Sequence, residues 1–368
     1  MRHRAVITGF GVLAANGIGI DAFWESLLAG RSGVKRITLF DTTDFPVNIA
    51  GEISNFNVDE FVPPEMKPQR MGRHAQLCIA AAKMAVAHSR IREDELKMSE
   101  PVPAFIGVSS SAFDIIERSQ ERLIKHGPKK ASPYAVSASQ PHAVASGADA
   151  PITNHALAIM AASRMIEPFH GDPAHASRPF DRDRTGGILS EGSGFVILES
   201  LDHAIDRGAT IWGEITGHAS ANDPRGGRGG DGLRDTIRMA LANARCIPSD
   251  IDYVCAHGPS DRELDVAETE AIKHALGEHA YRIPVSSIKG CTGNPLSSAG
   301  PLQMACAALA LRDNLVPPTA NHEHPDPRCD LDYVSGSARH IALRRVLINV
   351  HGMGGGNTSV ILERVRRP

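Results

Sequence analysis

The sequence predicts an α/β fold made of two related halves. Three observations point there: apolar strand-like runs alternate with helical ones, each half carries a long Ala-rich helix suited to burial, and the two ends of the chain repeat one motif. The repeated motif is a basic lead, an apolar strand and a Gly-rich turn, seen in RAVITGFG near the start and RRVLINVHGMGGG near the end. Strands alternating with helices lead us to expect parallel sheets covered on both faces. The 368 residues suit two domains or one large layered unit.

In order, the first half reads as the strand AVITGF, the helix DAFWESLLAG, the long helix HAQLCIAAAKMAVAHSR and the strand PAFIGVS. Turn-rich text then leads to SQPHAVAS, after which GADAPITN reads as a loop entering a helix. The series resumes with the strands GSGFVILES and IWGEITGHA, the helix GLRDTIRMALANAR and the strand DYVCAHG. It closes with the helix DVAETEAIKHALG, the strand PVSSIKG, the helix PLQMACAALALRDN and the strand RRVLINV. The join is expected near Asp206-Arg207-Gly208, giving halves 1–208 and 209–368 that pack together, since no low-complexity linker parts them.

Composition excludes several classes of function. Hydrophobic content of 42% and charge of 22% describe a folded chain rather than a disordered one. A net charge of −3 leaves no basic field for nucleic acid and no polybasic membrane patch. The six cysteines are scattered without CxxC pairs, so reduced thiols in a cytoplasmic protein are the expectation. The start, MRHRAVITGFGVLAANG, imitates a signal peptide, but glycines and a threonine interrupt its apolar run, and it reads as a buried strand entering a turn. No window reaches the roughly 18 apolar residues of a membrane span.

Several motifs resolve into bland readings. Gly9, Gly11 and Ala14 form G-x-G-x-x-A after a strand, but Asn16, Gly17 and Gly19 intervene before the helix that would hold a phosphate. Gly352, Gly354, Gly355 and Gly356 form a Gly-rich turn without the GK[ST] of a phosphate loop. His322, His324 and Cys329 lie close in NHEHPDPRC, yet the spacing matches no zinc pattern, and no metal is expected. GxSxG, the serine-hydrolase elbow, is absent. More specific is VCAHGPSDRELDVAET, where a strand delivers His257 to a turn at its carboxyl end and Glu268 lies in the next helix. VSSIKGCTGNPLSSAG places Lys289 at another strand end. A histidine and a lysine converging there suit polarisation of a thioester carbonyl or support of an enolate.

These segments, in this order, resemble the elongating β-ketoacyl-acyl carrier protein synthases over nearly the whole chain. The most specific markers are ASRPFDRDRTGG with EGSGFVILE, AHGPSDRELDVAET, SSIKGCTGNPLSSAG and NVHGMGGGNTSVIL. The resemblance implies a duplicated thiolase-like fold with α-β-α-β-α layers. It also implies acyl carrier proteins as partners, their 4'-phosphopantetheine arm as the only carrier group, and fatty-acid or polyketide intermediates. In that family a cysteine at a helix N-terminus takes the acyl chain, and two histidines and a lysine assist decarboxylation. By resemblance His257 is the first histidine, Lys289 the lysine and Glu268 its carboxylate partner, while the second histidine position is Asn294.

The nucleophile is missing. PHAVAS runs directly into GADAPIT at about Ser146, where a family member has a strand, the nucleophile turn, a helix and a further strand. No cysteine occurs between Cys78 and Cys246. The expected loss is a strand-helix-strand unit of roughly 40 residues. Further departures fall on the same site. Pro259 and Asp261 stand at the threonines that hold the pantetheine arm, and His351 and Met353 replace the two gating phenylalanines. Asn294 cannot serve as an imidazole base, though its amide suits an oxyanion. Cys291, close to Lys289, is the only replacement thiol worth weighing; Cys255 reads as a buried strand residue.

Three readings follow. The chain is a non-condensing subunit of the chain-length-factor type, paired with an intact ketosynthase; or a residual decarboxylase or acyltransferase working through His257 and Lys289; or a deletion product retaining family sequence. Because the family's dimer uses the sheet edge near the gap, self-association is expected to be weakened or rebuilt, with an exposed edge as an aggregation risk.

Overall fold

The computed structural model describes residues 4–92, 95, 104–109, 112–127, 146–224, 230–352 and 354–365. PHAVA, at 141–145, and Met353 lie outside them. Along the chain run β1 (Ala5–Ala14), α1 (Ile20–Leu28), α2 (Arg73–Ser89), β2 (Ile106–Gly107), α3 (Phe113–His126), β3 (Ser146–Asp149), α4 (Asn154–Ala162) and β4 (Gly192–Ser200). The second half continues with β5 (Gly213–Asn222), α5 (Asp231–Ala244), β6 (Tyr253–Cys255), α6 (Leu264–Leu276), β7 (Pro284–Ser286), α7 (Lys289–Thr292), α8 (Ala299–Asp313), β8 (Asp332–Tyr333), β9 (Arg345–His351) and β10 (Gly356–Glu363).

Among the described residues the main sheet has the order β8-β7-β6-β9-β10-β5-β1-β4-β3-β2, with the short strand Gly17–Ile18 folded back on β1. The two halves occupy its two arms, and they meet where β1 pairs antiparallel with β5, Ala5 opposite Ile215. The sheet is mixed rather than parallel, a correction to the expectation from alternation. β6, β7 and β8 run parallel, as do β2 and β3, but β9 and β10 are antiparallel, as are β1 and β4. The cause is connection length: the Gly-rich turn after His351 is too short for a crossover, so β10 folds straight back on β9.

Alternation along each strand separates the layers. On β1, Gly9 and Gly11 face α2 so closely that a Cβ at Gly11 would sit 1.7 Å from the Ala81 carbonyl oxygen. Phe10, Val12 and Ala14 face a different core, built around α8. In the other arm Val346, Ile348, Val360 and Leu362 share that core, while Leu347 and Ile361 pack with α5 and α6. The stack is therefore α2, first arm, α8, second arm, then α5 and α6, five alternating layers. Helix α8 is buried on every side and largely apolar, with Leu302, Ala305, Cys306, Ala307, Ala308 and Ala310 fully buried, as a helix between two sheets must be.

Two local expectations are corrected. GADAP is not a loop: Ser146–Asp149 form β3, parallel to β2 and antiparallel to β4, because the Asp149 carboxylate and the pairing on both sides hold it extended. Lys289 is not at the end of β7 but in the single turn of α7 that follows Ser287 and Ile288.

Candidate functional site

β6 is fully buried, and it carries the chain out of the sheet at Ala256-His257-Gly258. The turn there is fixed from α6: the Glu268 carboxylate accepts the backbone N–H of His257 (2.9 Å) and of Gly258 (2.7 Å). Asn349 on β9 donates its side-chain amide to the same carboxylate at 3.3 Å. From the central layer, Gln303 of α8 donates to the carbonyls of Ala256 (2.8 Å), Cys255 (3.2 Å) and Asn349 (2.9 Å), tying the ends of β6 and β9 together. A glycine is required at 258: its φ is +32°, and a Cβ would lie 2.7 Å from both the Phe180 ring and Ser287.

Lys289 and His257 meet, the lysine reaching back from the turn of α7 to the end of β6. The Lys289 ammonium donates to His257 Nδ1 at 3.0 Å and also to the His257 carbonyl. Burial lowers the lysine to about 8, and the negative charges of Glu268 and Asp265 limit the fall. Glu268, however, does not form the ion pair assigned to it. Its oxygens are taken by backbone N–H groups, and it acts on the lysine through space, burial holding its own carboxyl above the usual range. His257 is held well below an ordinary histidine, first by burial and then by the neighbouring charge of Lys289, so it is neutral at physiological pH.

His351 completes the cluster. Its backbone N–H donates to His257 Nδ1 at 3.1 Å, and the two rings stand edge to face with centroids 5.9 Å apart. Its own Nδ1 bonds the Asn357 side-chain oxygen at 2.7 Å. Asn357 donates in turn to Asp223 and to the Gly355 carbonyl, both at 3.1 Å. A cavity of about 10 Å³ opens between α5, α6 and these residues, lined by His257, His351, Glu268, Leu233 and Leu264.

The remaining assigned positions are not gathered here. The Asn294 backbone clamps Ile188 and Ser190, and the residue is absent from the cavity wall. Pro259 is buried. The Asp261 carboxylate accepts the N–H groups of Glu263 and Leu264, both at 2.9 Å, and so caps the turn into α6. Cys291 is fully buried in α7, and burial pushes its thiol up to about 12, which removes it as a nucleophile at neutral pH. Near the His322-His324-Cys329 loop, donor atoms of Asp181, Asp183 and His324 lie within 4.8 Å of one another. Asp181 is spent on the N–H groups of Asp183 (2.8 Å), Glu323 (2.7 Å) and His324 (2.6 Å), a loop clamp rather than a free ligand.

Sequence reasoning missed Asn357, Asp223, Asn349 and Gln303. The first had a legible signal, since a tight hairpin after His351 sets Asn357 directly opposite it. Asn349 lies on the same strand as His351, two residues before it, whereas Asp223 and Gln303 come from distant elements and carry no local pattern.

The family model described as "Beta-ketoacyl synthase, N-terminal domain" matches residues 2–142 and 137–204, and "Beta-ketoacyl synthase, C-terminal domain" matches 212–323. The chain is 32% identical over 411 aligned positions to "3-oxoacyl-[acyl-carrier-protein] synthase 2" of Synechocystis sp., covering 99% of this chain and 98% of that protein. It is 37% identical to "Actinorhodin polyketide putative beta-ketoacyl synthase 1" of Streptomyces coelicolor, covering 99% and 89%. Among solved structures, "The ishigamide ketosynthase/chain length factor" superposes with a TM-score of 0.90 at 28% identity, covering all of both chains. Among the described residues no helix is long and apolar enough to cross a membrane.

Proposed function

Given that this chain belongs to the beta-ketoacyl synthase family of fatty-acid and polyketide biosynthesis, we propose that it is a non-condensing subunit. It engages carrier-borne thioesters alongside an intact ketosynthase, in the manner of a chain length factor. The observation that carries this is the missing acyl acceptor: no cysteine lies between Cys78 and Cys246, and the thiol nearest Lys289 in sequence, Cys291, is buried and protonated. Condensation by this family's route begins with acyl transfer to a thiolate, and Cys291 offers none.

Three further findings support loss of a unit rather than of one residue. The alignment with the Synechocystis protein runs to 411 positions although this chain has 368 residues. The N-terminal family model matches in two pieces that meet at 137–142, beside the proposed gap. The arms also differ: the second reads β8-β7-β6-β9-β10-β5 and the first β2-β3-β4-β1, so that β7, β8 and the buried helix α8 have no counterpart among the described residues of the first half. The likeness to a ketosynthase/chain length factor pair supports the partner role.

A second reading, decarboxylation of a malonyl-carrier thioester without a covalent intermediate, is favoured by the intact contact between Lys289 and His257, which a purely structural subunit does not need. One experiment separates the two. The chain is incubated with acyl- and malonyl-carrier protein and examined by mass spectrometry while carbon dioxide is followed. The expected outcome is no acyl adduct and binding of carrier only with an intact ketosynthase present. An adduct on any cysteine refutes the non-condensing assignment, and carbon dioxide released by this chain alone establishes the second reading in its place.

A further inference from the structure

Beyond the partner role, we propose that His257 and His351 form a hydrolytic site for acyl thioesters, in which His351 activates water and His257 donates to the carbonyl oxygen. The inference rests on the reading above that the chain meets carrier-borne thioesters. It follows from the hydrogen bonds that fix the two imidazoles in opposite tautomers.

His257 Nδ1 accepts the backbone N–H of His351, a group that can only donate. The neutral ring therefore carries its proton on Nε2, and that edge is a donor. At His351 the order is reversed. The Asn357 amide nitrogen is oriented by two partners that only accept, an Asp223 oxygen and the Gly355 carbonyl, so the Asn357 oxygen faces the histidine. Asp223 is anchored by the N–H of Gly232 at 2.8 Å. An oxygen at 2.7 Å requires a proton on His351 Nδ1, which in the neutral ring leaves Nε2 as a lone pair. Asp223, Asn357 and His351 thus repeat the logic of a base oriented by a third group.

Both imidazoles line the same cavity, and its volume of about 10 Å³ is that of a single water molecule. The step balances without a thiol. His351 Nε2 takes a proton as the water oxygen bonds to the thioester carbon, and His257 Nε2–H holds the oxyanion. Collapse breaks the carbon–sulfur bond, and the proton on His351 passes to the departing thiolate, giving a carboxylic acid and a free thiol. Decarboxylation asks something different: an enolate oxygen needs donors, and the His351 lone pair offers it nothing.

The test uses the full chain with hexanoyl-pantetheine and malonyl-pantetheine, following thiol release and carbon dioxide, with His351→Gln as the variant. Thiol release from the hexanoyl ester is expected to fall by about 10²–10⁴-fold in the variant, the range for loss of a positioned base. Long-range proton–nitrogen correlation spectra of the unmodified chain are expected to show Nδ1–H at His351 and Nε2–H at His257. That readout holds even where the variant fails to fold. Unchanged thiol release in folded His351→Gln, no release by the unmodified chain, or a proton on His351 Nε2 each overturns the proposal. Hydrolysis of hexanoyl-pantetheine by a chain that binds no carrier protein overturns the carrier reading and leaves the site standing.

Discussion

A lysine whose side chain is 1% exposed depends on its neighbours, and Lys289 has only the His257 carbonyl and Nδ1 in contact, with Glu268 and Asp265 acting through space. The shift from 10.5 to about 8 means that its charged form is disfavoured in the folded chain, by on the order of 3 kcal/mol. The direction in pH follows. Between about 8 and 10.5 the unfolded chain holds a proton that the folded chain lacks, so stability falls as pH drops through that window and is flat below it. Urea denaturation at about pH 8 and about pH 10 is expected to show the rise with pH in the unmodified chain. Its absence from Lys289→Met measures the contribution of this residue, and equal slopes in the two proteins count against the burial argument. At this scale the sequence was informative where a strand ended in an ionisable residue, as at His257. It was silent on Asp223 and Gln303, whose roles exist only because α5 and α8 lie beside β9 and β6.

Among elements, the approach of α2 to β1 is the tightest contact. Gly11 lets the Ala81 carbonyl pack where a Cβ would stand, and the neighbouring atoms are backbone, which cannot swing aside. Gly11→Ala is expected to destabilise the chain by roughly 1–3 kcal/mol, read from the urea midpoint at an unchanged slope. A variant as stable as the unmodified chain would show that α2 can shift on the sheet. Helix and strand identities were legible from periodicity, as for α2, α5 and β5, because one face of each is more buried than the other; β10, folded straight back on β9 after a Gly-rich turn, was not legible as a strand. Strand direction was not. Whether two neighbours run parallel depends on whether their connection is long enough to cross over, and GADAP became a strand only through pairing with β2 and β4.

At the scale of the whole molecule, the first arm ends, among the described residues, on β2, a two-residue strand beside Phe105, which is 76% exposed. An exposed aromatic beside an edge strand suits pairing with another chain. The isolated protein is expected to run as a monomer in light scattering at micromolar concentration and to form a one-to-one complex with an intact ketosynthase. A stable homodimer without that partner contradicts the expectation. The sequence by itself determined the α/β plan, the family, and the stretch without cysteine between Cys78 and Cys246, since these reside in residue identity and local periodicity. The tertiary structure decided that Glu268 clamps a backbone turn rather than pairing with Lys289, that Asp261 caps a helix, and that His351 rather than Asn294 stands beside His257. Each of those depends on which groups the sheet order brings within about 3 Å, the range over which a hydrogen bond fixes a proton, and no local pattern encodes that distance.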